Sequence, residues 1–320
     1  MHIVRNKLSH IIIGQFISLL SVFNGLACIT IETKYHKVIP LLLTSTYYIT
    51  LSLLWLYRSH FKLNHLKLLY AIIAFVDSQA NFINVYTFTI IQFEYPFIIN
   101  FLSVIWTVLL TMLFITKYTY THIHKIGLLI TFTGICIILC SNISISHLFN
   151  SQSLKGLFCC LVTSVLYSVN SILQEKFLDS NEEIFGYLPW MGLIGSAISF
   201  VQALLFGEFA QMKNFSFNVI EMWLLFILTL VTITSISPFF IAKCGAAMFN
   251  FSLASTIFWS MLIDIFVINL MDSFNIYYFI GFIIVIIGLY IFYMKDTNNE
   301  IGNIDIELIR KSIKNEYNAI

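Results

Sequence analysis

Charge is what this chain has least of. Only 10% of its 320 residues are Asp, Glu, Lys or Arg and 59% are hydrophobic, whereas an average soluble domain carries about 25% charged residues. A water-soluble fold cannot hide that much apolar side chain, so a soluble globular class is excluded. The net charge of +1 gives no basic surface of the kind nucleic acid requires, and no nucleic-acid partner is expected. Enzyme signatures are missing as well: there is no His-Glu-x-x-His, no P-loop and no Gly-x-Ser-x-Gly. The six cysteines (Cys28, Cys136, Cys140, Cys159, Cys160, Cys244) lack metal-ligand or redox spacing and read as small packing residues. All eight histidines fall in loops or at the ends of apolar runs, and His122 and His124, two apart, suit a solvated loop better than a helical ligand pair. No enzyme activity, cofactor or metal site is expected.

What is present in abundance is apolar sequence in blocks of bilayer length. A spanning helix needs about 20 predominantly apolar residues, and ten such segments fall near 9–31, 38–57, 65–88, 91–116, 122–140, 154–176, 185–206, 219–244, 248–271 and 276–294. They are continuously apolar rather than alternating, which selects helices over a barrel among the two structures that satisfy every backbone group in lipid. The expected class is therefore an all-α membrane protein. The first run, after "MHIVRNKLSH", is too long for a signal peptide and has no small-x-small cleavage site. Short cytoplasmic loops hold an excess of Lys and Arg. With the N-terminus cytoplasmic, thirteen of the seventeen fall on that side and four (Lys34, Lys37, Lys155, Lys213) on the other. Ten spans with both termini cytoplasmic, in the plasma membrane or an endomembrane, are thus expected. Two Asn-x-Ser sequons, at Asn142 and Asn214, fall in short non-cytoplasmic loops.

The fifth span reads "KIGLLITFTGICIILC" and the tenth "FIGFIIVIIGLYIFYM". Ile126, Gly127, Ile130 and Gly134 align with Ile280, Gly281, Ile284 and Gly288 at a constant offset of 154 residues. Glycines seven apart share one helix face, a smooth stripe that lets another helix approach closely. The two segments close successive blocks of five spans, and an odd number inserts the second block upside down. Inverted repeats of this kind mark secondary transporters with a site near the midplane. The expected organisation is a first five-helix repeat over 1–150, a second over 151–296 and a cytoplasmic tail over 297–320, the tail carrying helical spacing at Ile306, Ile309, Ile313 and Tyr317.

Polar residues inside the spans are few, and each costs insertion free energy, about 2.5 to 3.5 kcal/mol for a mid-helix Asp. "FVDSQANFINVY", in span three, puts Asp77, Asn81 and Asn84 at i, i+4 and i+7, one face, with Gln79 pointing elsewhere. Asp264 lies in span nine with Asn269 beyond it, Glu94 and Asn100 in span four beside Pro96, and Asn170, Gln174 and Glu175 at the close of span six. Such carboxylates are pathway or proton-relay candidates, against the plainer reading of the amides as interhelical glue. No Lys or Arg lies near the middle of any span, so fixed cations for a phosphorylated solute are missing. Tyr86, Tyr167, Trp106 and Trp259 could offer π faces to a flat or cationic solute, or serve only packing and anchoring.

"DSQANFINVYTFT" in span three, "LYSVNSILQEKF" in span six and "WSMLIDIF" in span nine resemble the F branch of solute carrier family 35, in the drug/metabolite transporter superfamily. Asp77, Ala80 and Asn81 match the family's Asp-x-Glu-Ala-Asn-Tyr, with Gln79 for the Glu and Phe82 for the Tyr. Gln174 and Glu175 stand at its Glu-Glu pair, and Asp264 falls on its Asp. Span four departs most: Ile98 replaces an acid, and Glu94 stands one turn earlier. The resemblance implies a ten-helix inverted-repeat carrier working by alternating access on a small organic solute, vitamin-like or nucleobase-like, through a cavity lined by spans such as three, four, six, eight and nine. The substrate and proton pathway expected from residues and resemblance together comprises Asp77, Asn81, Asp264, Glu175, Gln174, Glu94, Tyr86 and Asn170. The expected partners are a small neutral or cationic solute, coupling protons, the lipid bilayer and a second copy of the chain in a homodimer. Two other readings stay open at this point: a nucleotide-sugar antiporter of the Golgi or endoplasmic reticulum, and a non-transporting membrane scaffold or receptor.

Overall fold

A computed structural model describes residues 2–58, 67–91, 96–97, 101–114, 121–142, 151–178, 181–212, 217–263 and 276–293. Every element among them is helical: α1 His2–Tyr35, α2 Pro40–Arg58, α3 Leu68–Thr87, α4 Leu102–Phe114, α5 His122–Asn142, α6 Ser151–Phe177, α7 Asn181–Leu205, a 3-10 turn Glu208–Met212, α8 Phe217–Cys244, α9 Ala246–Ala254, α10 Thr256–Ile263 and α11 Ile276–Tyr293. Five stretches are long and apolar enough to cross a bilayer: Ile12–Tyr35, Leu68–Thr87, Leu154–Phe177, Glu183–Leu205 and Phe217–Cys244. Their lipid-compatible surface is evident in large exposed side chains such as Leu68, Phe158, Leu205 and Leu228, more apolar surface than a water-facing protein shows. Hydroxyls on these helices bond their own backbone one turn back, as Thr30 to Leu26 O and Thr163 to Cys159 O do. That local bond satisfies them where no water competes.

The chain forms two compact units. The first takes residues 1–107 and 143–274. In it α2 packs along α7, α1 along α8, α3 along α6 and α7, and α2 also on α8. Replacing each helix by the one five predicted spans away turns the α1–α8 pair into α6–α3 and the α2–α8 pair into α7–α3, leaving α2–α7 unchanged. Glycines set the α2–α7 approach. A Cβ on Gly192 would lie 2.6 Å from Ser52 N, and one on Gly195 2.7 Å from the Tyr48 ring. Larger residues there would force the helices apart, so this approach fixes where Tyr48 stands.

The second unit takes residues 108–142 and 275–320, and in it α5 packs on α11. The glycine stripe is the contact: a Cβ on Gly127 would fall 2.8 Å from Gly288 O, and one on Gly134 2.7 Å from Gly281 O. The first glycine of one helix meets the second of the other, which makes the pair antiparallel.

Two sequence expectations change in detail. Predicted span nine is interrupted: α9 ends at Ala254 and α10 begins at Thr256, with the Ser255 hydroxyl turned back on Ser252 O at 2.8 Å. His124, expected in a solvated loop, is 1% exposed in the first turn of α5. Its Nδ1 accepts the Thr121 N–H at 3.1 Å and its ring stands edge-on to Phe292, so it caps the helix and packs, and the sequence spacing alone did not show the cap. The tail from residue 294 on, and the sequon at Asn214, lie outside the described residues.

Candidate functional site

The first unit holds a cavity of about 120 Å³. Its wall contains Asp77, Asn81 and Asn84 from α3, Asn170, Ser171 and Gln174 from α6, Asn24 from α1 and Asn250 from α9, together with Phe88, Phe97, Phe101, Phe249 and Tyr167. The predicted stripe therefore faces one space, as the spacing of four and three requires. Among the described residues, no Lys, Arg or His lines it.

Asp77 is 6% exposed and meets neutral donors on both oxygens. Tyr48 donates to Oδ2 at 2.6 Å, Asn81 Nδ2 at 2.8 Å and Tyr47 at 3.3 Å, while Asn170 Nδ2 donates to Oδ1 at 2.7 Å. Hydrogen bonds to an ionised acceptor are the strong ones, and four of them replace the hydration an isolated carboxylate would demand. Asn81 is the hub of this cage. Its amide nitrogen also approaches both tyrosine oxygens at 3.1 Å, and its Oδ1 accepts the Tyr167 hydroxyl at 3.0 Å. The two tyrosines come from the middle of α2, their ring centres 4.0 Å apart, and sequence reasoning missed both. The signal was there: tyrosines belong at membrane interfaces, and a pair at mid-span is out of place unless its hydroxyls have a partner.

Other wall amides tie helices together. Asn250 Nδ2 donates to Thr107 Oγ1 at 2.9 Å and to Ser171 Oγ at 3.2 Å, and its Oδ1 accepts from Ser103. Asn24 Nδ2 donates to Phe226 O and Thr229 Oγ1, joining α1 to α8. Neither was singled out from sequence.

The remaining expected residues are placed as follows. Glu175 does not line the cavity; its Oε2 accepts the Ala246 N–H at 2.7 Å, joining the end of α6 to the start of α9, where free amide donors favour a carboxylate. Tyr86 is 39% exposed and stacks on Phe82, away from the cavity wall. Gln79 points away from the stripe, as expected, and pairs with Gln202 of α7, the two amides exchanging bonds of 3.2 and 3.5 Å. Trp259 donates to Gln15 Oε1 at 3.2 Å. Glu94 and Asp264 lie outside the described residues. Among the described residues no cluster of three metal-ligating side chains occurs.

One further carboxylate is buried outside the spans. Glu208, 5% exposed in the turn after α7, accepts the N–H groups of Leu41 and Leu42 at 3.1 and 2.8 Å. Burial raises its pKa above the ordinary glutamate value, and the two backbone amides pull it partly back. Beside it Gln211 accepts from Val38 N through Oε1 and from Lys37 Nζ through its carbonyl, both at 2.9 Å. Together these contacts clasp the start of α2 to the turn.

Comparison with known proteins agrees with this architecture. A solved crystal structure, described only as a protein, superposes with a TM-score of 0.64 over 89% of this chain and 98% of its own, at 15% identity, a likeness of fold alone. An uncharacterized solute carrier family 35 member of Schizosaccharomyces pombe is 24% identical over 230 residues, 70% of this chain. That match spans 44% of the relative's length, less than half of it. A family model, SLC35F, Solute carrier family 35, matches residues 3–294. Nearly the whole multi-pass chain is covered, the expected resemblance is met, and the chain belongs to the F branch of solute carrier family 35.

Proposed function

We propose that the protein is a secondary active transporter that carries a small neutral or cationic organic solute by alternating access. The carrying observation is the cavity wall, which among the described residues holds one carboxylate, several amides, a set of aromatic rings and no fixed cation. A phosphorylated solute would need Lys or Arg at such a wall, which disfavours the nucleotide-sugar reading. A polar cavity beside a caged aspartate favours transport over a scaffold, because an intramembrane carboxylate is by default a pathway candidate.

The proposed frame is two inverted five-helix repeats with both termini cytoplasmic. Two observations support the repeats: helix pairs that exchange into one another when the halves are swapped, and the reciprocal glycine contact of α5 and α11. Asp77 and Asn81 form the centre of the proposed pathway, with Asn170 and Gln174 beside them. Glu175 acts by holding α9 against α6. Glu94, Asp264 and Tyr86 remain proposed members of the pathway, and protons are the proposed coupling ion, carried by its carboxylates.

Uptake of a broad metabolite mixture into proteoliposomes tests the proposal. Accumulation that is lost in Asp77→Asn, with the thermal transition retained, is the expected result. Transport and folding both untouched by Asp77→Asn and Asp264→Asn would sink the carboxylate pathway, and abolition of uptake by nucleotide sugars would overturn the solute class.

A further inference from the structure

We propose that Asn170 and Gln174 form an acceptor pole of the cavity that takes a planar cationic group with paired N–H donors, an amidinium or guanidinium. The pole gives the transporter reading a substrate class and rests on that reading for its purpose, though not for its geometry. The two residues stand one turn apart on α6, 6% and 4% exposed, and both line the cavity. Asn170 Oδ1 and Gln174 Oε1 are buried and meet no hydrogen-bond donor. The other side-chain atoms in that condition among the described residues, on Ser52, Thr111, Tyr187 and Ser199, do not line the cavity. Buried polar atoms in native proteins are nearly always answered, so two unanswered acceptors on neighbouring residues of one cavity wall point to a donor that arrives from outside the chain and is met by a small turn of these amides.

The orientation of Asn170 is settled by its neighbour. Its Nδ2 donates to Asp77 Oδ1, a group that can only accept when ionised, so its oxygen is the end left over. Gln174 has no such anchor and can turn its amide to suit what binds. By contrast, Asn81 and Asn250 have their oxygens engaged by Tyr167 and Ser103.

Charge and shape narrow the class. Asp77 beside the pole and the lack of wall cations among the described residues favour a positive solute, and an incoming carboxylate or phosphate would set acceptors against acceptors. Side chains at i and i+4 lie about 5–6 Å apart at Cβ, so the two amides are neighbours, and a planar N–C–N fork presents paired N–H donors in fixed directions to two such acceptors.

Calorimetric titration of the full-length protein with benzamidinium, against benzoate and benzamide, tests the pole. Benzamidinium is expected to bind the wild type and benzoate not to. Gln174→Met, which removes the unanswered oxygen at similar length, is expected to weaken benzamidinium by about tenfold or more while the unliganded protein melts at the same temperature or higher. Should that variant not fold, Gln174→Glu carries the test: tighter benzamidinium binding is expected, and unchanged or weaker binding overturns the proposal. It is equally overturned by a wild type that does not bind benzamidinium, by benzoate binding as well, or by a Met variant binding like the wild type. Proteoliposome uptake separates the two readings. Solute uptake indifferent to benzamidinium leaves the transporter and removes the pole, whereas binding that follows the variants in a protein that moves nothing leaves the pole and removes the transporter.

Discussion

Asp77 and Glu208 are both carboxylates pressed below 7% exposure, yet the protein answers them in different ways. Asp77 is met by four side chains from α2, α3 and α6. Glu208 is met by two backbone amides at the start of α2. Side-chain donors sit on rotatable bonds and can be exchanged for a ligand or a proton as helices shift. Backbone amides move only with their helix, so an acid held by them serves the fold. On the proposed reading, a buried acid in this chain is a site or a clasp according to who donates to it.

The strongest way to break that comparison is to remove each acid. Asp77→Ala strands donors from Tyr47, Tyr48 and Asn170 in a dry interior, and about 1–3 kcal/mol per unsatisfied group puts the loss at roughly 3 kcal/mol or more. Transport is expected to vanish and thermal melting to fall steeply. Asp77→Asn keeps the shape, so a melting temperature close to wild type with transport lost is the sharper result. A transporter that still runs as Asp77→Asn would move Asp77 into the same class as Glu208.

Next in size is a change that reaches the cage from behind. Gly195 abuts the Tyr48 ring, and Gly195→Leu must displace that ring or part α2 from α7. Overpacking of this kind costs about 1–3 kcal/mol, and the Tyr48 bond to Asp77 is expected to be lost with it. Uptake should fall together with the melting temperature. Solute transport at the wild-type rate in Gly195→Leu would mean that Tyr48 is dispensable to the cage.

How much of this was legible differs residue by residue. The Asp77, Asn81 and Asn84 face was readable because helical periodicity is local, and so was the glycine stripe of α5 and α11, whose partner happened to be its own sequence echo. Tyr47 and Tyr48 were not. Adjacent helical residues do not face the same way, and two neighbours reaching one carboxylate depends on ring length and on α7 pressing against α2. Glu208 reaches Leu41 across 167 residues, and a contact made by docking a turn onto a distant helix start leaves no period to read. Gln174 was read as a pathway member from its family position, whereas its unanswered oxygen is visible only once its neighbours are in place.

Glu208→Ala is smaller in effect. It uncaps two amides at the start of α2, and losing a helix cap costs about 0.5–2 kcal/mol. Its pH signature has a definite sign. The folded pKa is raised by burial, so the folded state holds the proton more tightly than the unfolded chain. That contribution is fully present below the unfolded glutamate range, about 4.3, and is lost as pH rises through the raised folded value. Thermal melting of wild type minus Glu208→Gln should therefore grow more positive on acidification through that window. A difference that shrinks instead would show Glu208 to be stabilised chiefly as an anion by its two amides.

The smallest effect is expected where the stripe turns its back. Gln79 and Gln202 join α3 to α7 by two long bonds, 3.2 and 3.5 Å, and interhelical hydrogen bonds in membranes average only about 0.6 kcal/mol. Replacing both by Leu removes donor and acceptor together, which is near neutral, whereas Gln79→Leu alone leaves Gln202 without this partner and should cost slightly more. Transport is expected to survive in both. Gln79 stands where the family pattern has a glutamate, so Gln79→Glu is the informative third variant. If uptake rises or its pH profile shifts, the face behind Asp77 belongs to the pathway, and the division between the cavity face and the back of α3 must be redrawn.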